Sequence, residues 1–238
     1  LGLNIGSIVY TEMPLEVTIA HGQSGASWGG LGRPDVLLRA AEVLIHDGVT
    51  AIAVVTRFPD EDANISFASY REGEGVDALA GAEAVISHLL VSHFNIPSAH
   101  APALLPLPTY DHLDPRAAGE EIGYTFLACV LVGLSRAPNF VPITALETRR
   151  VFSAKDLLLA DQLGALVVPE GALGGACVLA AIEKGVNLIV VRNEGTVNVN
   201  SEHLGAAKGG STLGNSSLFR AQNYAEAAGL ITLLREGI

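Results

Sequence analysis

Apolar and polar positions follow a mixed rhythm along the chain, and that rhythm predicts alternating strands and helices. Asn4–Tyr10 and Leu15–Ala20 are apolar runs on either side of Met13-Pro14 and predict two strands. The stretch from His21 to Gly32 is too rich in glycine for a helix and predicts a loop. Pro34 and Asp35 then open a helix running to about Asp47. Proline at the first helical position is tolerated because its missing N–H has no intrahelical partner, and Leu37, Leu38, Ala41, Leu44 and Ile45 fall on one face. Ala51–Thr56 is a continuous apolar run of the kind that parallel sheets bury on both faces. Val76 to about His93 predicts a buried helix. The segment from Ile96 to Pro102 cannot be helical through its prolines, and Ala117–Arg136 predicts a long apolar helix.

The last third repeats the rhythm. A helix capped by Ser153 runs through Gln162, followed by a strand at Ala165–Val168, a glycine loop at 171–175 and a helix at Ala176–Lys184. A strand at Asn187–Val191, a Gly/Ser-rich loop at Gly205–Asn215 and an amphipathic helix at Gln222–Arg235 complete it. The pattern predicts an α/β fold, three-layered, with a mostly parallel sheet and helices on both faces. Pro138–Thr148 reads as a linker, giving an α/β lobe over 1–137 and a smaller βαβ lobe over 138–238.

Composition narrows the function. Apolar residues make up 49% of the chain and charged residues 16%, with a mean hydropathy of +0.39, which excludes disorder. The formal charge of −11 argues against a nucleic-acid partner. The longest apolar run, near Phe126–Leu134, is far short of the roughly 20 residues that span a bilayer. Two cysteines, Cys129 and Cys177, exclude a disulfide scaffold, and small buried thiols are the expectation for both. No metal site or cofactor is indicated. The chain begins at Leu1 with no methionine or basic leader, which reads as a processed or truncated piece. So few charges on so much surface predict a homo-oligomer or a subunit of a larger assembly, with the terminal helix as the candidate interface.

Three places can carry chemistry. Gly25-Ala26-Ser27-Trp28-Gly29 matches the letters of a nucleophile elbow, with Ser27 as the nucleophile, but the strand–turn–helix context that exposes such a serine is missing. Its serines and glycines (Ser24, Gly25, Gly29, Gly30), with Arg33 at the next helix start, favour a small anionic ligand instead. Glu170, Gly174 and Gly175 follow one strand, Arg192, Asn193 and Glu194 follow the next, and Arg57 ends an earlier one. All are expected on the carboxyl edge, where open sheets bind ligands, and the two glycine loops are expected to share one pocket. Among the histidines, His88 reads as a core residue. His100, fixed between Pro97 and Pro102, reads as the general base, with Glu83 or Asp77 to set its tautomer and Ser98 or the glycine loop to supply a hydroxyl. The candidate catalytic set is therefore His100, Ser27 and Glu170.

Several strings also resemble a known family. Ser24–Gly29, Gly32–Glu42, Ala53–Asp60, Gly75–His88, Ser98–Leu104, Gly174-Gly175 and Asn223–Gly229 are similar to the family of domain of unknown function 3326, found in cyanobacteria and chloroplast-bearing organisms. The match resembles the later two-thirds of that family, with an insertion at Ala206–Leu218. The resemblance implies a chloroplast or cyanobacterial setting and brings no assigned reaction. The expected function is binding, and conversion, of a small anionic metabolite; the alternative is a non-catalytic assembly subunit of a plastid complex.

Overall fold

The computed structural model describes residues 2–23, 25–58, 67–103, 111–121, 126–141, 157–193, 195 and 197–237, in two compact units, Leu1–Glu147 and Thr148–Ile238. The first unit opens with an antiparallel hairpin of β1 (Val17–His21) and β2 (Ser27–Leu31), Val17 opposite Leu31. Its turn is closed by the Gly22 N–H donating to the Ala26 carbonyl at 2.8 Å, and Gly25 supplies a φ of +83°. Helix α1 (Pro34–His46) buries Val36, Leu37 and Ala41. Next come β3 (Ile52–Thr56), the short helix α2 (Phe67–Arg71), α3 (Ala80–Phe94) and β4 (Ser98–Pro102). Asn95 ends α3 in the left-handed conformation. Strands β3 and β4 pair in parallel, with Val54 opposite His100. Helices α4 (Pro115–Glu121) and α5 (Phe126–Leu134) follow, and α5 packs on both strands. Val17, Leu37, Ala41, Ile52, Ile86 and Leu90 form the core.

Glycine decides how α3 meets the hairpin. A Cβ on Gly29 would lie 2.5 Å from the Ala82 Cα and against its Cβ, and one on Gly81 would lie 2.6 Å from the Ser27 carbonyl oxygen. The helix and strand β2 therefore touch backbone to backbone, which only glycine permits.

The second unit holds a 3₁₀ turn (Ala160–Gln162), β5 (Ala165–Pro169), α6 (Ala176–Glu183), β6 (Asn187–Val191), β7 (Thr212–Leu213), β8 (Ser216–Ala221) and α7 (Tyr224–Glu236). The sheet order is β5-β6-β8-β7, parallel except for β7. Strand β6 is apolar on both sides because each side is covered. Leu188 and Val190 pack with Val178 and Ala181 of α6, while Ile189 and Val191 pack with Ala227 of α7 and partly buried Leu230 and Leu234. Asn223 caps α7 by accepting the Glu226 N–H at 2.9 Å, and the Glu226 carboxylate accepts the Gln222 N–H at 2.7 Å.

The content is mixed α/β, as the periodicity predicts, but the described strands form three small sheets rather than one. Residues 4–10 form no strand, and the glycine-rich stretch expected as a loop contains β2. The prolyl segment is strand β4, with Pro102 at its last position. The expected long helix over 117–136 is described as two, α4 and α5, with 122–125 between them outside the described residues. The helix expected from Ser153 falls largely outside the described residues, and its last residues, 160–162, are 3₁₀. The Gly/Ser loop contains β7 and leads straight into β8. Cys129, Cys177 and His88 are all exposed, against the expectation of burial.

Candidate functional site

A polar cluster inside the first unit centres on His100. Strand β4 carries its imidazole on the same side as Val54 and towards α3, where Glu83 and Ser87 stand four residues apart on one helical face. The Ser87 hydroxyl hydrogen-bonds the His100 Nδ1, and the Glu83 Oε2 lies 3.7 Å from Nε2. Glu83 and Ser87 are only 8% and 9% exposed, whereas the His100 side chain retains 30% of its exposure. The Ser87 hydroxyl donates to Nδ1 or accepts from it according to the tautomer, and the Glu83 carboxyl faces Nε2 from beyond hydrogen-bond distance. The arrangement sets a hydroxyl at one ring nitrogen and a carboxyl near the other, the group types that hydroxyl activation uses.

Burial pushes the His100 imidazole below its ordinary 6.5; the charge of His88 adds to this and Asp77 opposes it. The ring is therefore neutral at neutral pH, the state a base requires. Burial also raises the Asp77 carboxyl, against a hydrogen bond donated by the Leu79 N–H at 3.0 Å and the charge of His100. Asp77 thereby orders the turn that leads into α3, within electrostatic reach of the same histidine. Among the described residues, no three His, Cys, Asp or Glu side chains are placed to hold a metal ion.

Ser27 stands elsewhere in the unit. Its hydroxyl accepts the Gly81 N–H at 3.1 Å and so serves one of the unpaired donors at the start of α3. Gly29 and Gly30 lie within β2, where Gly29 makes the close contact with Ala82 and Gly30 faces the Thr18 hydroxyl. Gly25 shapes the hairpin turn, and Ser24 lies outside the described residues. Arg33 pairs with Asp35 at 3.3 Å, and Asp35 also binds Arg39 at 3.0 Å. Arg57 lines a cleft of about 580 Å³ beside β3, whose lining does not include His100 or Ser27.

The second glycine loop belongs to the other unit. Gly171 has a φ of +90°, and a Cβ there would strike the Val197 carbonyl. The Val199 N–H donates to the Gly171 carbonyl at 2.6 Å, and the Leu173 N–H donates to Val199 at 2.9 Å. Gly174 lies against the Val199 side chain and Gly175 precedes α6. The loop is thus laid against the chain's own 197–199 segment. Glu170, Arg192 and Asn193 are exposed after β5 and β6; Glu194 lies outside the described residues.

Neither Ser87 nor Thr56, whose hydroxyl is buried beside the cleft, was singled out by sequence. For Ser87 a signal existed: its i, i+4 spacing from Glu83 on a predicted helix. The strings quoted above point to one family, and the comparison decides it, since the model for "protein of unknown function (DUF3326)" matches residues 1–238. The chain belongs to the DUF3326 family. It is 41% identical over 239 residues to an uncharacterized lipoprotein of a Synechococcus strain, with all of this chain and 62% of that protein aligned. The chain thus spans less than two-thirds of that relative's length. The DUF3326 match covers the whole chain, which does not support an assignment to the later part of the family domain. No solved structure matches. Among the described residues, no helix is long and apolar enough to cross a membrane.

Proposed function

We propose that the first unit binds a small metabolite and moves a proton on it. His100 is the base, Glu83 fixes its tautomer, and Ser87 is the hydroxyl through which the proton passes. The observation that carries this reading is an imidazole flanked by a buried hydroxyl and a buried carboxyl group, yet still partly open. Such groups, with a shifted acid–base equilibrium, cluster at functional sites.

An anionic ligand was the expectation from the glycine loops, but Gly29 and Gly171 are taken up by contacts within the chain. With His88 as well as Asp77 and Glu83 around His100, groups of both signs surround the base, and the reading narrows to a substrate whose reacting end is neutral. The test is incubation of a cyanobacterial metabolite extract with the wild type and with His100→Gln, followed by mass spectrometry. The reading expects at least one metabolite consumed by the wild type and spared by the variant, with Glu83→Gln slower than wild type. Identical extracts in all arms would overturn it.

A second reading, a non-catalytic subunit of a plastid or cyanobacterial assembly or a homo-oligomer, is favoured by α7. Tyr224 and Ile231, seven residues apart on one face of that helix, are 57% and 45% exposed. Light scattering tests its homo-oligomer form: a particle of about 25 kDa, the 24.7 kDa monomer, removes it.

A further inference from the structure

The cleft beside β3 is a second place in the first unit with its own chemistry. Helix α1 contributes Leu37, Ala41 and Leu44, β3 contributes Ile52 and Val54, and α3 contributes Leu90. The segment before β1, including Tyr10 and Pro14, forms a further wall. At about 580 Å³ the space falls within the range of small-molecule sites.

One polar group sits deep within this apolar lining. Thr56 shares a face of β3 with Ile52 and Val54 and lines the cleft with them. The residue is 6% exposed, and its Oγ1 is fully buried with no hydrogen-bond partner among the described residues. A buried hydroxyl without a partner is costly, and native structures rarely leave one unless something else supplies the bond.

We infer that this cleft binds a neutral, mostly apolar molecule bearing one hydroxyl or carbonyl group, which completes the hydrogen bond of Thr56. The neutral character follows from the lining. The buried polar group is an uncharged hydroxyl, so a carboxylate placed beside it would lose its hydration with no buried cation among the described lining residues to replace it. Charged residues in the lining are of both signs, Arg57 and Glu16, and select no net charge. A hydroxyl both donates and accepts, so either an alcohol or a carbonyl oxygen satisfies it. The inference does not depend on any role of His100.

The test is a methyl NMR titration of the whole chain with 1-octanol, n-octane and octanoate, following Leu44, Ile52 and Leu90. Octanol is expected to shift all three residues and octanoate to bind more weakly. Thr56→Val is expected to weaken octanol roughly tenfold while leaving octane unchanged and raising the melting temperature of the unliganded protein. Thr56→Ser, which keeps the hydroxyl, should bind as wild type. Ala40→Leu, which narrows the cleft from its α1 wall, should abolish binding and serves if the valine variant does not fold. Methyls unmoved by octanol up to its solubility limit would overturn the inference. So would octanoate binding tighter than octanol, or equal octanol affinity in the wild type and Thr56→Val.

Discussion

Replacing Gly29 with alanine tests the contact on which the first unit is built. The new Cβ would stand 2.5 Å from the Ala82 Cα and 2.8 Å from the Thr18 carbonyl oxygen. Carbon atoms pack at about 3.5–4.0 Å, so α3 and β2 must separate by about 1 Å or more. Both obstacles are backbone or a helix Cβ, and neither can swing aside. Ala82 is fully buried with Ile86 and Leu90, so moving α3 also loosens their packing on Val17 and Ile52. Overpacking of this kind costs about 1–3 kcal/mol, and the rigidity of both partners places Gly29→Ala near the upper end, about 3 kcal/mol. Gly81→Ala meets the Trp28 backbone in the same way and displaces the hydrogen bond to Ser27. Alanine's better helix propensity returns about 1 kcal/mol there, leaving a loss of about 2 kcal/mol. The chain's one tryptophan, Trp28, is next to Gly29, so urea unfolding followed by its fluorescence reports on this contact directly. Losses within about 0.5 kcal/mol for both variants, the ordinary range for a surface substitution, would refute the backbone-contact account.

Other consequences follow from the same structure. Gly171→Ala should destabilise the second unit by more than about 1 kcal/mol, since φ is +90° and Val197 occupies the space; far-UV circular dichroism on heating measures it. Gly229→Ala, in α7 with nothing within 4 Å, should instead stabilise it by up to about 1 kcal/mol by the same measurement. His100 lies below its unfolded value of about 6.5, so the unfolded chain binds the proton more readily and stability falls as pH drops through 6.5. In His100→Gln that part of the pH dependence should vanish in urea titrations between about pH 5 and 7. Asp77 is raised, so the folded chain binds its proton more readily and this contribution is lost as pH rises above the unfolded value of about 3.9. Asp77→Asn, which still accepts the Leu79 N–H, should therefore be at least as stable as wild type at pH 7 by the same titration.

Elements with a single strong rhythm were legible in the sequence. Helix α1 was visible from Pro34 and the apolar face of Leu37, Ala41 and Leu44, and β3 and β6 from their unbroken apolar runs. Strand β2 was not, because Ser27-Trp28-Gly29-Gly30-Leu31 has poor strand propensity and owes its conformation to Val17–His21 and α3. Its glycines also read as a loop for an anionic ligand, and only the position of Ala82 shows that Gly29 is used for packing. Strand β8 was hidden for a similar reason: Ser216 and Ser217 look like loop, and antiparallel pairing with Leu213 and Thr212 of β7 orders them. His100 and its carboxylates could be named from the proline-bounded segment and the adjacent helix. Ser87 was overlooked because its partner lies on β4, across a packing of α3 on that strand that periodicity does not specify.

The central claim of the proposed function is that His100 is a neutral base with its proton on Nε2 and Ser87 donating to Nδ1. Nitrogen-15 NMR of the histidine rings across pH 4–9 tests it most directly, because the two ring nitrogens give separate shifts and His100→Gln assigns the signal. The account predicts a His100 midpoint below 6.5, a neutral form protonated on Nε2, and a change in the Nδ1 shift in Ser87→Ala. A midpoint at or above 6.5, or a neutral ring protonated on Nδ1 and indifferent to Ser87, would contradict it.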